Sequence, residues 1–231
     1  YSVTTALVPT LVKAHQAGDT QRFIDLWHAS MVKVSTIMLP VFVFFMIFAE
    51  PTMRVFFSAS YEGAATPFRV YLCLLPLRLC GYGAVVRAVG ETKPVLMAAA
   101  AGLVTNVALN YPLYLAFGLA GPAMASVLAQ CVAIGLLLLC IKRRLQVSQI
   151  FPVLPVLKTL VVAAIAALPA WTIQSLFETD GWNLLVGAVT YLLSYLVVAL
   201  LTGVLSREDL IYVRELVTGR IMRNAKDGGG S

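Results

Sequence analysis

Acidic side chains are missing from every long apolar run of this chain. Its eleven Asp and Glu all fall outside such runs. Proton- or sodium-coupled carriers of cations generally rely on an intramembrane carboxylate, so any substrate met within these runs is expected to be anionic or neutral. Histidine is nearly absent as well, with only His15 and His28, at no metal-ligand spacing. The four cysteines, Cys73, Cys80, Cys131 and Cys140, form no Cys-x-x-Cys pair and sit inside apolar runs, where thiols act as small apolar side chains. No metal site or cofactor is implied. No segment alternates apolar and polar residues over about ten positions, which argues against barrel strands. No Gly-rich phosphate loop follows a strand, because no strand is expected.

What the chain does have is apolar length. Residues of apolar type make up 60% of it, charged residues only 12%, and mean hydropathy is +0.86. No soluble domain has that composition. A helix needs about 20 residues to cross a 30 Å hydrocarbon slab, and six runs are long enough: 31–49, 67–88, 94–117, 119–141, 159–176 and 182–205. The expected fold is therefore an all-α integral membrane protein with six transmembrane helices, plus a partial N-terminal helix and a C-terminal amphipathic helix.

Four units follow from this reading. Residues 1–27 read as the end of a preceding helix and a cytoplasmic loop, since "YSVTTALVPTLVKAH" is apolar but too short to span and has no signal-peptide layout. Residues 28–205 form the transmembrane bundle. In 206–227, Ser206 and Asp209 suit a capping box, and Leu210, Val213, Val217 and Ile221 share a stripe. An amphipathic helix on the cytoplasmic leaflet is expected there, drawn to anionic membrane lipids by Arg214, Arg220, Arg223 and Lys226. Residues 228–231, "GGGS", read as a flexible tail or a linker scar.

Orientation follows from the basic residues. When each except mid-run Arg78 is assigned to the nearer end of its run, fourteen fall on one side and only Arg54 and Arg69 on the other. The first side is cytoplasmic by the positive-inside rule, and six spans return the C-terminus to it. The pI near 9.3 thus reports topology and requires no nucleic-acid partner.

Polar residues inside the runs are few. Arg78 stands in the middle of the second run, where a guanidinium costs about 3 kcal/mol on insertion scales and so faces either a partner or a water-filled cavity. On a continuous helix Tyr71, Arg78 and Tyr82 share one stripe, at offsets of seven and four residues, while Arg69 and Arg87 lie on the other side. Pro76, two residues earlier, is expected to free backbone carbonyls, as are Pro40 and Pro169 in their own runs. Asn106 and Asn110 follow Gly102 at four-residue spacing on the third run. Two readings stay open for these amides and for Gln130: bonding to a neighbouring helix, or lining a substrate path. Gly121, Ala125 and Ala129 on the fourth run form the small-residue pattern that lets membrane helices approach closely.

The order of these features resembles a known family. "YSVTTALVPTLVKAHQAGD", then "FAEPTMRVFFSASYEGAATPFRVYLCLLPLRLCGYGAVVRAVGETKPVL", then "NVALNYPLYLAFGLAGPAMASVLAQ" are similar to consecutive stretches of the multidrug, oligosaccharidyl-lipid and polysaccharide exporter superfamily, and most of all to its polysaccharide and O-antigen flippase branch. The resemblance covers residues 1–141. Pro122 departs from it, standing where many members have a small residue. It implies the C-terminal half of a transporter that moves polyprenyl-pyrophosphate-linked oligosaccharides across a bacterial inner membrane by alternating access, its N-terminal half lying outside this sequence. It implies a transporter and not an enzyme. Arg78 suits such a substrate because a guanidinium fork pairs with pyrophosphate in bidentate fashion, and Tyr71, Tyr82, Asn106 and Asn110 are the companion candidates. Three alternatives compete: a multidrug antiporter of the same superfamily, a membrane enzyme of lipid-linked sugar metabolism, and a structural or assembly protein. Against the enzyme, the external loops hold Glu50, Glu62, Glu178 and Asp180 but no acid pair backed by His.

Overall fold

The structure, a computed structural model, describes residues 2–145, 150–173 and 180–205. The expected amphipathic helix at 206–227 and the tail at 228–231 lie outside them. Among the described residues the secondary structure is helical only: α1 Ser2–Gln16, α2 Thr20–Ile47, α3 Ala49–Phe57, a 3-10 segment Ala59–Ala64, α4 Ala65–Leu72, α5 Leu74–Leu77, α6 Tyr82–Ala88, α7 Lys93–Phe117, α8 Ala120–Leu145, α9 Val153–Ile173 and α10 Asp180–Leu201. Six stretches are long and apolar enough to cross a membrane: Thr20–Ile47, Ser60–Ala88, Lys93–Phe117, Ala120–Leu145, Val153–Thr172 and Gly181–Leu201. Their number and order match the six apolar runs. The chain is an all-α, multi-pass membrane protein.

The first span begins earlier than its apolar run because its N-terminus is capped. Gly18 takes a left-handed conformation with φ of 71°, and the Asp19 carboxylate accepts from the Arg22 amide at 2.9 Å. Helix α2 therefore takes up Thr20–Trp27, which hydropathy alone leaves in the loop. That extension carries Phe23 and Trp27 into a buried cluster with Leu11 of α1, Met31, Val85 and Val86 of α6, and Ile141 of α8. The cluster ties these helices together at one end, with Ala98 of α7 and Val156 of α9 joining it.

A second cluster joins α2, α9 and α10 around Phe48, Val162, Ala163, Ala166, Tyr191 and Tyr195. Here proline chemistry and packing meet. Pro40 has no N–H, so the carbonyl of Thr36 loses its intrahelical donor. The Tyr195 hydroxyl on α10 donates to that carbonyl at 2.7 Å, and the Tyr191 hydroxyl donates to Pro40 O at 3.0 Å. In hydrocarbon no water can take that role, so the Tyr195 phenol re-satisfies the Thr36 carbonyl that the proline frees, and Tyr191 adds a second bond to the proline's own carbonyl. Tyr195→Phe is expected to cost about 1 kcal/mol through the orphaned Thr36 carbonyl. A lowered melting temperature of the full-length protein in detergent is the expected result; an unchanged one would mean another donor reaches Thr36.

The α7–α8 hairpin is built on small residues. Gly118, with φ of 58°, ends α7, and α8 begins two residues later at Ala120. Gly121, Ala123, Ala125 and Ala129 are buried on the face of α8 toward its neighbours. A Cβ added to Gly121 would fall on the Leu113 carbonyl of α7, and one added to Gly102 would come within 3.3 Å of the Ala129 carbonyl. The approach at Gly121 leaves no room for any Cβ, while at Gly102 a Cβ would be accommodated only if its neighbour shifted by a few tenths of an ångström. The outward face of α7 is mostly apolar, with Leu103, Val104, Val107 and Leu115 exposed, as suits contact with lipid.

Candidate functional site

The second span is not one helix. Pro76 removes the donor that would meet Leu72, and its ring crowds that turn, so the helix breaks at Cys73 between α4 and α5. It breaks again at Leu79–Gly81, where Gly81 takes φ 53° and ψ 34° and α6 starts afresh at Tyr82. Arg78 is the C-cap of α5, at the mouth of this second break. The interruption releases the Cys80 carbonyl, and the buried indole of Trp27 on α2 donates to it at 2.7 Å. Non-helical backbone at membrane depth survives only where protein or a watered cavity satisfies it. Trp27 supplies the protein side of that requirement.

Arg78 itself is exposed, and among the described residues its guanidinium has neither a hydrogen bond nor an ion pair. The contrast with the outer end of the same span is sharp. Arg69 Nε donates to the Met46 carbonyl at 3.1 Å and its guanidinium pairs with Glu50 at 3.1 Å. Arg54 lies 3.9 Å from Glu62. Arg69 and Arg54 are thus matched by carboxylates, while Arg78 is exposed and, among the described residues, unpaired.

The other candidates divide into those the fold brings together and those it does not. Asn106 of α7 donates from its amide to Ser126 Oγ of α8 at 3.1 Å, and Ser126 Oγ lies 3.5 Å from the Tyr71 hydroxyl of α4. Ser126 also donates to the Pro122 carbonyl at 3.0 Å. Tyr71 and Asn106 thereby belong to one polar cluster spanning three helices. Asn110 is half-buried one turn further out on α7 and makes no side-chain hydrogen bond among the described residues. Tyr82 goes elsewhere. The stripe of Tyr71, Arg78 and Tyr82 presupposes one continuous helix, and the two breaks remove it. Tyr82 is half-buried with its ring 6.3 Å from Trp27, edge to face, packed on the first buried cluster. Ser126 had a faint sequence signal, one residue past Ala125 in the small-residue pattern; its role depends on α4 crossing α8. Trp27 had none, since its acceptor lies 53 residues away.

Chemically, the arrangement offers a guanidinium fork, hydroxyls and amides. These are groups that bind phosphate and saccharide oxygens. Among the described residues no group of three or more His, Cys, Asp or Glu converges on a metal-binding geometry. An outer cavity of 360 Å³ lies apart from the Arg78 region, lined by Met46, Glu50, Arg54, Arg69, Trp171 and Asn183.

Among the described residues, a strand-free bundle of six candidate spans, one of them broken beside an exposed arginine, defines an all-α multi-pass membrane protein. The chain belongs to the lipid II flippase MurJ family, whose family model matches residues 1–191. A solved structure titled "Lipid II flippase MurJ, inward closed conformation" is similar, with a TM-score of 0.69 and 20% identity over 93% of this chain. This chain spans 43% of that structure's length. No curated protein sequence matches the chain. The family places the chain in the multidrug, oligosaccharidyl-lipid and polysaccharide exporter superfamily as a multi-pass inner-membrane protein of a flippase family. The resemblance to the polysaccharide and O-antigen branch holds at the level of the superfamily; the family found is that of the lipid II flippases.

Proposed function

We infer that this chain is one lobe of a flippase that carries a polyprenyl-pyrophosphate-linked saccharide of the lipid II type from the inner to the outer leaflet. The observation that carries the reading is the broken second span, which leaves Arg78 exposed beside the break and, among the described residues, without a hydrogen bond or ion pair. Such discontinuous helices line substrate paths in alternating-access transporters, and a guanidinium at such a place suits an anionic group. Arg78 receives the pyrophosphate as a bidentate, charge-assisted pair. Tyr71, Ser126 and Asn106, with Asn110 beyond them, offer hydrogen bonds to the saccharide or to phosphate oxygens. Tyr82 acts indirectly, by packing the break against Trp27. The second lobe that alternating access requires comes from the part of the transporter outside this sequence, in keeping with the 43% coverage of the similar structure.

Precursors of O-antigen and other polysaccharides share the polyprenyl pyrophosphate and differ only in the sugar, so the residues named would serve them as well. The family match favours the peptidoglycan precursor. Neither the multidrug antiporter nor the membrane enzyme is favoured by any residue of the site. Depleting the full-length protein from cells that depend on it should trap lipid II on the cytoplasmic leaflet, measured by accessibility of the labelled precursor in spheroplasts and vesicles of opposite sidedness. Trapping of a lipid-linked O-antigen unit instead would move the substrate to the polysaccharide branch, and normal distribution of both would overturn the flippase reading.

A further inference from the structure

A groove of 500 Å³ runs between the cytoplasmic ends of α7 and α8, away from the broken span. Its walls are Pro94, Met97, Leu136, Leu139 and Cys140, and its mouth carries Glu91, Arg143 and Arg144. Glu91 is paired with Arg144. Among the described residues that leaves Arg143 as the cation of the lining without an ion pair, with Lys142 beside it on α8 and Lys93 beside Pro94 at the start of α7. Met97 is 67% exposed and Leu139 53%, so the apolar walls are open on the face where α7 also exposes Leu96, Leu103 and Val104.

We propose that this groove is a binding site for an anionic phospholipid of the inner leaflet. The acyl chain lies along Met97, Leu136 and Leu139, and the headgroup phosphate meets Arg143 and the outer edge of Arg144. Three features point to this occupant. The groove lies at the cytoplasmic end of two spans, where phosphates of the inner leaflet are found. Its walls are apolar below and cationic above, in the order a phospholipid presents. The bound carboxylate of Glu91 holds Arg144 in place and reduces the net charge, so the site discriminates by a single charge and favours an anionic over a zwitterionic headgroup. A soluble anion would gain the charge and leave the apolar walls empty.

The test uses the full-length protein in nanodiscs of phosphatidylcholine containing a minor fraction of spin-labelled phosphatidylglycerol, with spin-labelled phosphatidylcholine as the comparison. Wild type should immobilise phosphatidylglycerol preferentially. Arg143→Gln should weaken that preference about fivefold, the equivalent of the roughly 1 kcal/mol that one juxtamembrane basic residue contributes. Glu91→Gln removes the competing carboxylate and should strengthen it. Leu139→Trp fills the groove and should abolish it at unchanged detergent melting temperature. Equal immobilisation of the two lipids by wild type, or a preference that survives both Arg143→Gln and Leu139→Trp, would overturn the site. Displacement of the spin-labelled lipid by millimolar inorganic phosphate would equally overturn it, since that outcome assigns the cations to a soluble anion.

Discussion

Transport by the full-length protein should fall in the order wild type, Arg78→Lys, Arg78→Ala, at unchanged abundance in the membrane. Lysine keeps the charge at the mouth of the break but cannot form two parallel bonds to a pyrophosphate, and alanine removes charge and fork together. Loss of a charge-assisted bidentate contact is worth about 1.5–3 kcal/mol, hence a fall of roughly ten- to hundredfold for alanine. The lysine variant should lie between. Because Arg78 makes no hydrogen bond or ion pair among the described residues, its removal takes away no contact that holds the described bundle together. Flipping of labelled precursor in proteoliposomes, normalised to protein incorporated, measures the effect. If alanine instead lowers abundance and melting temperature while flipping per molecule stays normal, Arg78 is a structural residue satisfied by the other lobe, and the cluster of Tyr71, Ser126 and Asn106 becomes the better candidate for substrate contact.

Gly121→Val should be the most damaging single change in the α7–α8 hairpin. A Cβ at that position meets the Leu113 carbonyl and the Tyr114 amide of α7, which are backbone atoms with no rotamer to move into. The helices must separate, at a cost of about 1–3 kcal/mol or more, and the contact between Asn106 and Ser126 would be lost with them. Gly135→Val on the same helix is the control, because nothing lies within 4 Å of its added Cβ. Membrane abundance and detergent melting temperature should fall for the first variant and hold for the second. Equal behaviour of the two would mean the hairpin is not held by this close approach.

Much of the architecture was legible from residue type and run length alone. The apolar runs had to become helices because a chain in hydrocarbon must satisfy its own backbone, and their lengths set the number of crossings. The basic residues give an expected orientation by the positive-inside rule, which reads loop charge and not packing. The small residues at Gly121, Ala125 and Ala129 announced a close helix contact, and Pro76 announced a disturbed span next to Arg78. The tertiary structure decided what those disturbances become. Whether a proline bends a helix or divides it depends on which donors reach the freed carbonyls, and Trp27 reaches Cys80 because α2 packs on α5, the short helix just before the second break. The second division, at Gly81, turns Tyr82 away from Tyr71 and into the core, a rotation that a helical period of 3.6 cannot express. Tyr71, Ser126 and Asn106 stand on three different helices, so only the crossing of α4, α7 and α8 makes them neighbours. Periodicity reports which residues share a face of one helix; which faces then meet is settled by side-chain volume and by the need of each buried polar atom for a partner.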